Sequence, residues 1–122
     1  MKFRLAETYL LLAEAYLRQD MPDKAADAVN EVRRRAKVSD VSDEEMTMDF
    51  LLDERIRELY GEESRRFTLV RTGKLLERVR KYNPEARDLI QDFHVLWPIP
   101  QAIRDANVGN FPQNPGYEGY EG

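Results

Sequence analysis

Residues 5–17 set the strongest limit on what this chain can fold into. Leu5, Tyr9, Leu12, Ala13 and Tyr16 recur at spacings of three and four, which predicts a helix over 3–19. Leu10, Leu11 and Leu17 then widen its apolar sector to well over half the circumference. A helix resting on a single layer needs an apolar stripe of only about 100°. This helix therefore wants neighbours on more than one side.

The following segments repeat the helical period. Asp20-Met21-Pro22-Asp23 reads as a turn opening a second helix, because Pro at the first helical position loses no intrahelical bond and Asp23 complements the positive helix end. That helix, 22–36, places Ala25, Ala28, Val29, Val32 and Ala36 on one face, and its small residues permit close approach to the first helix. The pair is expected to form an antiparallel helical hairpin. Residues 37–47 are polar and offer two caps, the Ser42-x-x-Glu45 box and Thr47. A third helix is predicted to run to about Tyr60, with Met48, Leu52, Ile56 and Leu59 inward and Asp53, Glu54, Arg55, Arg57 and Glu58 as an exposed charge ladder. A fourth is predicted over 62–82 with Phe67, Val70, Leu75, Leu76 and Val79 inward, and Gly73 marks a bend or break. Asn83-Pro84 restarts a short helix ending near Gln91. Residues 92–99 alternate Phe93, Val95, Leu96, Trp97 and Ile99 with Pro98 and lead into Pro100, so they read as an extended segment laid over the helices. From Gly109 the chain has no helical period, and fraying is expected over 117–122.

The expected fold is thus all-α, with helical hairpins and an irregular, Pro/Gly-rich C-terminal extended segment. Ala13-Glu14-Ala15-Tyr16 with Lys24-Ala25-Ala26 resembles one tetratricopeptide (TPR) unit, and a single copy cannot bury both of its faces. Residues 1–108 are assigned to this TPR-like helical region, as the C-terminal portion of a larger domain, and 109–122 to an extended tail.

Composition removes most catalytic chemistries. There is no cysteine, so thiol nucleophiles, disulfides and Cys-ligated zinc are excluded, and the single histidine excludes every two-His metal signature. The net charge of −4 argues against sequence-independent nucleic-acid binding. Met1 to Glu7 with Leu10-Leu11-Leu12-Ala13 is too short an apolar run for an export signal and is closed by Glu7 and Glu14. No stretch approaches the roughly 20 apolar residues of a membrane span.

Five constellations carry residue types that chemistry could use. His94, flanked by Phe93 and Val95, is read as a structural histidine. Asp43, Glu44 and Glu45 lack the alternating Asp/Asn pattern of a calcium loop and read as helix-start acids. Glu54 and Glu58 stand one turn apart, as paired glycosidase acids could, yet Arg57 and Arg55 beside them favour an ion-pair ladder. Arg65, Arg66, Arg71, Lys74, Arg78, Arg80 and Lys81 face one acid, Glu77, and read as a solvated face with paired arginine stems, the rival being a partner-docking patch. Phe93, Trp97, Tyr117 and Tyr120 could stack on sugar rings; Trp97, between Leu96 and Pro98, is read as covering core. No catalytic residue, metal ligand, cofactor or ligand-binding residue is assigned.

Four stretches together carry a family resemblance. They are Arg4-Leu5-Ala6-Glu7 with Ala13-Glu14-Ala15; Glu54-Arg55-Ile56-Arg57-Glu58-Leu59 with Glu62-Glu63-Ser64-Arg65-Arg66-Phe67-Thr68-Leu69-Val70-Arg71-Thr72-Gly73-Lys74; Leu96-Trp97-Pro98-Ile99-Pro100-Gln101; and Gln113-Asn114-Pro115-Gly116-Tyr117. In this order they resemble the C-terminal part of the SusD/RagB family of Bacteroidetes outer-membrane nutrient-binding lipoproteins. Arg66 and Thr68 stand where the family often has Trp and Asp. The resemblance implies a surface-exposed, non-catalytic protein that captures glycans or other nutrients and hands them to a TonB-dependent, SusC-like transporter, with this segment as scaffold. It implies pairing of the Glu54–Glu58 stretch with Arg65, Arg66 or Arg71, an apolar strap over 96–100 and a chain-end clamp over 113–117. Family members are several hundred residues long and carry an export signal with a lipid-bearing cysteine, so that anchor is expected upstream. The alternative is a free-standing TPR-like interaction module. A segment whose first helix lacks its neighbours is expected to self-associate.

Overall fold

The computed structural model describes residues 4–109 and 111–120. Phe3, at the expected start of the first helix, and Asn110, Glu121 and Gly122 of the expected tail lie outside the described residues, as do Met1 and Lys2 of the signal-like stretch. Among the described residues the structure is all-α. It comprises α1 (Leu5–Leu17), α2 (Pro22–Arg35), α3 (Met48–Glu58), α4 (Arg65–Arg71), α5 (Leu75–Tyr82), a 3₁₀ turn (Asp92–Val95) and α6 (Gln101–Asp105), with no strand. The chain divides into two compact units, Met1–Ser64 and Arg65–Gly122.

In the first unit α1 packs on both α2 and α3. The α2 face is the expected one: Ala25, Ala28, Val29 and Val32 are buried, although Ala36 is exposed. The α1 face is the expected one in part, since Ala13 is buried and Tyr9 and Tyr16 pack against the core. Ala6, Leu10 and Ala13 enter the core, while Leu5 remains 69% exposed and Leu11 and Leu12 are also open. On α3 the expected Leu52 and Leu59 are buried with Leu51, and Ile56 is exposed. Val41 and Met46 close the core from the loop before α3.

Three helices end in the same way. After α1, Asp20 adopts a left-handed φ of 58°, its N–H bonds Leu17 O and the Met21 N–H reaches back to Tyr16 O. Lys37 repeats this after α2 and Gly73 after α4, with φ of 58° and 70° and the same pair of bonds. This arrangement satisfies carbonyls that the helix end leaves unpaired. Gly73 thus divides the expected fourth helix into α4 and α5.

In the second unit α4 packs on α5, and α5 on the 3₁₀ turn. Among its described residues the buried apolar side chains are Leu69 and Leu75, whereas the expected core residue Phe67 is exposed. The helix expected after Asn83 is only a turn. Asn83 Oδ1 accepts from the Glu85 and Ala86 N–H groups, but Leu89 and Ile90 both donate to Ala86 O and propagation stops. So short a segment gains too few bonds to offset nucleation. Residues 92–95 are not extended as expected; the turn is closed by Gln91 at its start, and the extended path begins at Leu96. α6 was not foreseen, although its signal was present: Pro100 at the start, and Gln101 within reach of both Arg104 and Asp105.

Candidate functional site

The charged residues of α3 were expected at the surface, and two of them are in the core. Arg55 is 1% exposed and Glu54 is also buried. Arg55 Nε bonds Glu63 at 2.6 Å, and its Nη2 lies 3.9 Å from Glu7. Burying a charge is tolerable only where a partner compensates the lost water. Glu54 Oε2 takes Arg33 at 2.8 Å and Arg57 at 2.6 Å; Glu58 Oε1 takes Arg4 at 3.0 Å and Arg35 at 2.7 Å. All four of these arginines belong to the first unit. Arg4 also grips Glu62 at 2.7 Å, and the hydrogen bonds it donates to Glu62 and then to Glu58 push its guanidinium above the ordinary arginine value. With their oxygens held by arginines, Glu54 and Glu58 form a structural ladder, not an acid–base pair.

The acidic cluster before α3 resolves in the same direction. Ser42 and Glu45 form a reciprocal box, with Ser42 Oγ 3.0 Å from Glu45 Oε2, and the Ser42 bonds hold the Glu45 carboxyl below its ordinary value. The cap of α3 itself is Thr47, whose Oγ1 accepts from the Phe50 N–H at 3.2 Å. Among the described residues no group of three or more His, Cys, Asp or Glu side chains could hold a metal ion.

In the second unit the sequence-selected aromatics converge. The Arg66 guanidinium lies over the Trp97 ring at 4.2 Å and donates to the His94 and Leu96 carbonyls. Tyr117 Oη donates to the same Leu96 oxygen at 2.9 Å. Phe93 stacks against His94 at 4.2 Å and edge-on to Tyr117 at 4.9 Å. Gly116 passes beneath Phe93 with φ of 85°, where any β-carbon would fall 2.3 Å from the ring. Trp97 does not cover core: it is 60% exposed, with Arg66 against its ring. Tyr120 is also exposed, within turns that carry the tail back over this unit.

The strap and clamp are realised by side-chain amides. Gln113 donates to Ile99 O at 2.9 Å and accepts from Ile99 N–H at 2.7 Å, while Asn114 donates to Trp97 O at 2.7 Å. Within the basic run Lys74 pairs with Glu77, Arg80 with Asp92, and Arg78 and Lys81 lie on Tyr82. His94 shares an apolar groove of about 340 Å³ with Arg66, Leu75, Val79 and Leu89. Sequence reasoning missed the Gln113–Ile99 pairing. A Gln shortly after the Pro98-Ile99-Pro100 segment was the available signal.

The sequence pattern described as the SusD family matches residues 1–117, nearly the whole chain. The chain belongs to the SusD family. It is 36% identical over 125 residues to the starch-binding protein SusD of Bacteroides thetaiotaomicron, an alignment covering 95% of this chain and 21% of that protein. Two SusD-like proteins of Formosa agariphila are 36% identical over 109 residues and 33% over 108, each alignment covering 80% of this chain and 20% of the relative. The chain therefore spans about a fifth of the length of these family members. No solved structure matches it.

Proposed function

We propose that this chain is the C-terminal, TPR-like helical portion of a SusD-type outer-membrane lipoprotein. The whole protein captures a glycan or other nutrient without chemical change and passes it to a TonB-dependent, SusC-like transporter. The observation that carries this reading is the family match over residues 1–117. The α1–α2 pair serves as a TPR-like scaffold unit within 1–108, and 109–122 is its tail. The scaffold role is supported by how the polar side chains are spent: the α3 acids on arginines, and Arg66, Gln113, Asn114 and Tyr117 on backbone carbonyls. Among the described residues no helix is long and apolar enough to cross a membrane. On this reading the attachment to the outer membrane is a lipid on an upstream cysteine.

Two measurements test it. The DNA upstream of this reading frame should continue the frame into an export leader ending in a cysteine; a continuous frame without one overturns the lipoprotein reading. Affinity electrophoresis of the 122-residue chain in gels containing soluble polysaccharides should show no retardation, and retardation would move glycan capture into this segment. The alternative, a free-standing interaction module, has in its favour an apolar core cluster drawn from the first unit, in which Leu10, Val29 and Leu51 are fully buried. Sedimentation separates the two: a cooperative monomer supports the module, and self-association through the open Leu5, Leu11 and Leu12 supports the scaffold portion.

A further inference from the structure

We propose that His94 is a proton-operated latch on the strap that carries Trp97. The geometry points to this from one bond. The Gln91 backbone N–H donates to His94 Nδ1 at 2.8 Å, so that nitrogen carries a lone pair and the imidazole is neutral, with its proton on Nε2. In return the Gln91 side chain accepts from the His94 N–H, and the two residues close the 3₁₀ turn reciprocally. An imidazolium has donors on both nitrogens and no acceptor on either. No rotation or flip of the ring restores the bond, and Gln91 N–H and His94 Nδ1–H then oppose each other.

What the turn holds makes the loss consequential. The His94 carbonyl is one of the two that fix Arg66, and Arg66 lies on the Trp97 ring. The His94 ring is stacked on Phe93, which closes over Gly116 and meets Tyr117. Opening the turn therefore loosens the seat of Trp97 and the clamp together. The charged and titratable groups around the ring act on its charged form in both directions. From α4, Arg66 opposes a second cation. From the turn, Asp92 would favour one but is paired with Arg80 of α5 at 3.1 Å, and Tyr117 presents a neutral ring from the tail. The groove side, from α5 and the 83–90 turn, contributes Leu75, Val79, Asn83, Ala86, Leu89 and Ile90, none of them charged. The latched form is thus the neutral-histidine form, present above the imidazole titration and lost as pH falls through it.

The chain provides its own probes, since His94 is its one histidine and Trp97 its one tryptophan. His94 C2–H shifts and Trp97 emission should be followed on the intact chain between about pH 8 and pH 5, where imidazoles titrate. The two curves should share one midpoint. The protection of the Gln91 amide against hydrogen exchange should fall about five- to tenfold across it, the loss of one hydrogen bond. His94→Asn keeps an acceptor near the Nδ1 position and cannot titrate, so its emission should stay in the high-pH form throughout. His94→Phe has no acceptor and should show the low-pH form throughout. The latch is overturned if Trp97 emission and Gln91 protection stay constant while His94 titrates, or if the emission step survives in His94→Asn. The wild-type exchange measurement decides the matter even if a variant does not fold.

Discussion

Each unit of this chain contains the same device in a different setting. In the first, Asn30 donates to Val41 O at 3.0 Å and accepts from Val41 N–H at 2.8 Å; in the second, Gln113 does the same for Ile99. Asn30 works beside a continuous apolar core built from α1, α2 and α3. Gln113 works where, among the described residues, the buried apolar side chains are Leu69 and Leu75, so bonds from side chains to backbone carbonyls supply much of the order. Burial is non-directional and fixes helices as bodies, whereas amide and guanidinium bonds fix individual backbone groups. An irregular C-terminal path can therefore be held with little core, provided each polar partner stays in place.

Substitutions can break or sharpen this contrast. Leu51 is fully buried, so Leu51→Ala should give the largest loss, about 2–5 kcal/mol, read as a lower urea midpoint by far-UV circular dichroism. Gly116→Ala combines a left-handed backbone with a collision against Phe93 and should cost about 2–4 kcal/mol, seen in Trp97 fluorescence. Gln113→Ala and Asn30→Ala each strand the backbone groups of one residue, and about 1–3 kcal/mol is expected from either. If the contrast holds, Gln113→Ala should also free the 97–100 segment to exchange its amides, while Asn30→Ala should leave the first core packed. Lys37→Gly relieves a strained left-handed residue and should raise stability by about 0.5–1 kcal/mol. The smallest effect belongs to Glu45. Its carboxyl is held below the ordinary value in the folded chain, so its contribution is present above the unfolded value and lost as pH falls through the folded one. Glu45→Gln should flatten the acid limb of a melting-temperature profile slightly, and an unchanged profile would remove the box from the account.

What could be read from the sequence follows the same division. The α2 face, the Pro22 start, the Thr47 cap and the break at Gly73 were legible because each rests on local spacing or on one residue's backbone preference. The burial of Arg55 and Glu54 was not, since charge patterning along α3 cannot show that Arg33 and Glu63 arrive from elsewhere to neutralise them. That Leu10 and not Leu5 or Leu12 would enter the core was hidden because the apolar sector of α1 spans well over half of its circumference. At the strap, the β-leaning Phe93 and Val95 indicated an extended path; the reciprocal Gln91–His94 closure won locally, and among the described residues no strand offers a partner. The aromatic residues of the site were visible as a list, but that they meet through Arg66 was not.

The strap between Leu96 and Pro100 has a consequence for the company this protein keeps. Pro98 and Pro100 have no N–H to offer, both backbone groups of Ile99 are taken by Gln113, the Trp97 carbonyl by Asn114, and the Leu96 carbonyl by Arg66 and Tyr117. An extended, apolar stretch of this kind would ordinarily be a template on which another chain could add a strand. Here two positions lack an N–H and the Leu96, Trp97 and Ile99 carbonyls are engaged from within, which makes the extended, apolar segment a poor template for an added strand.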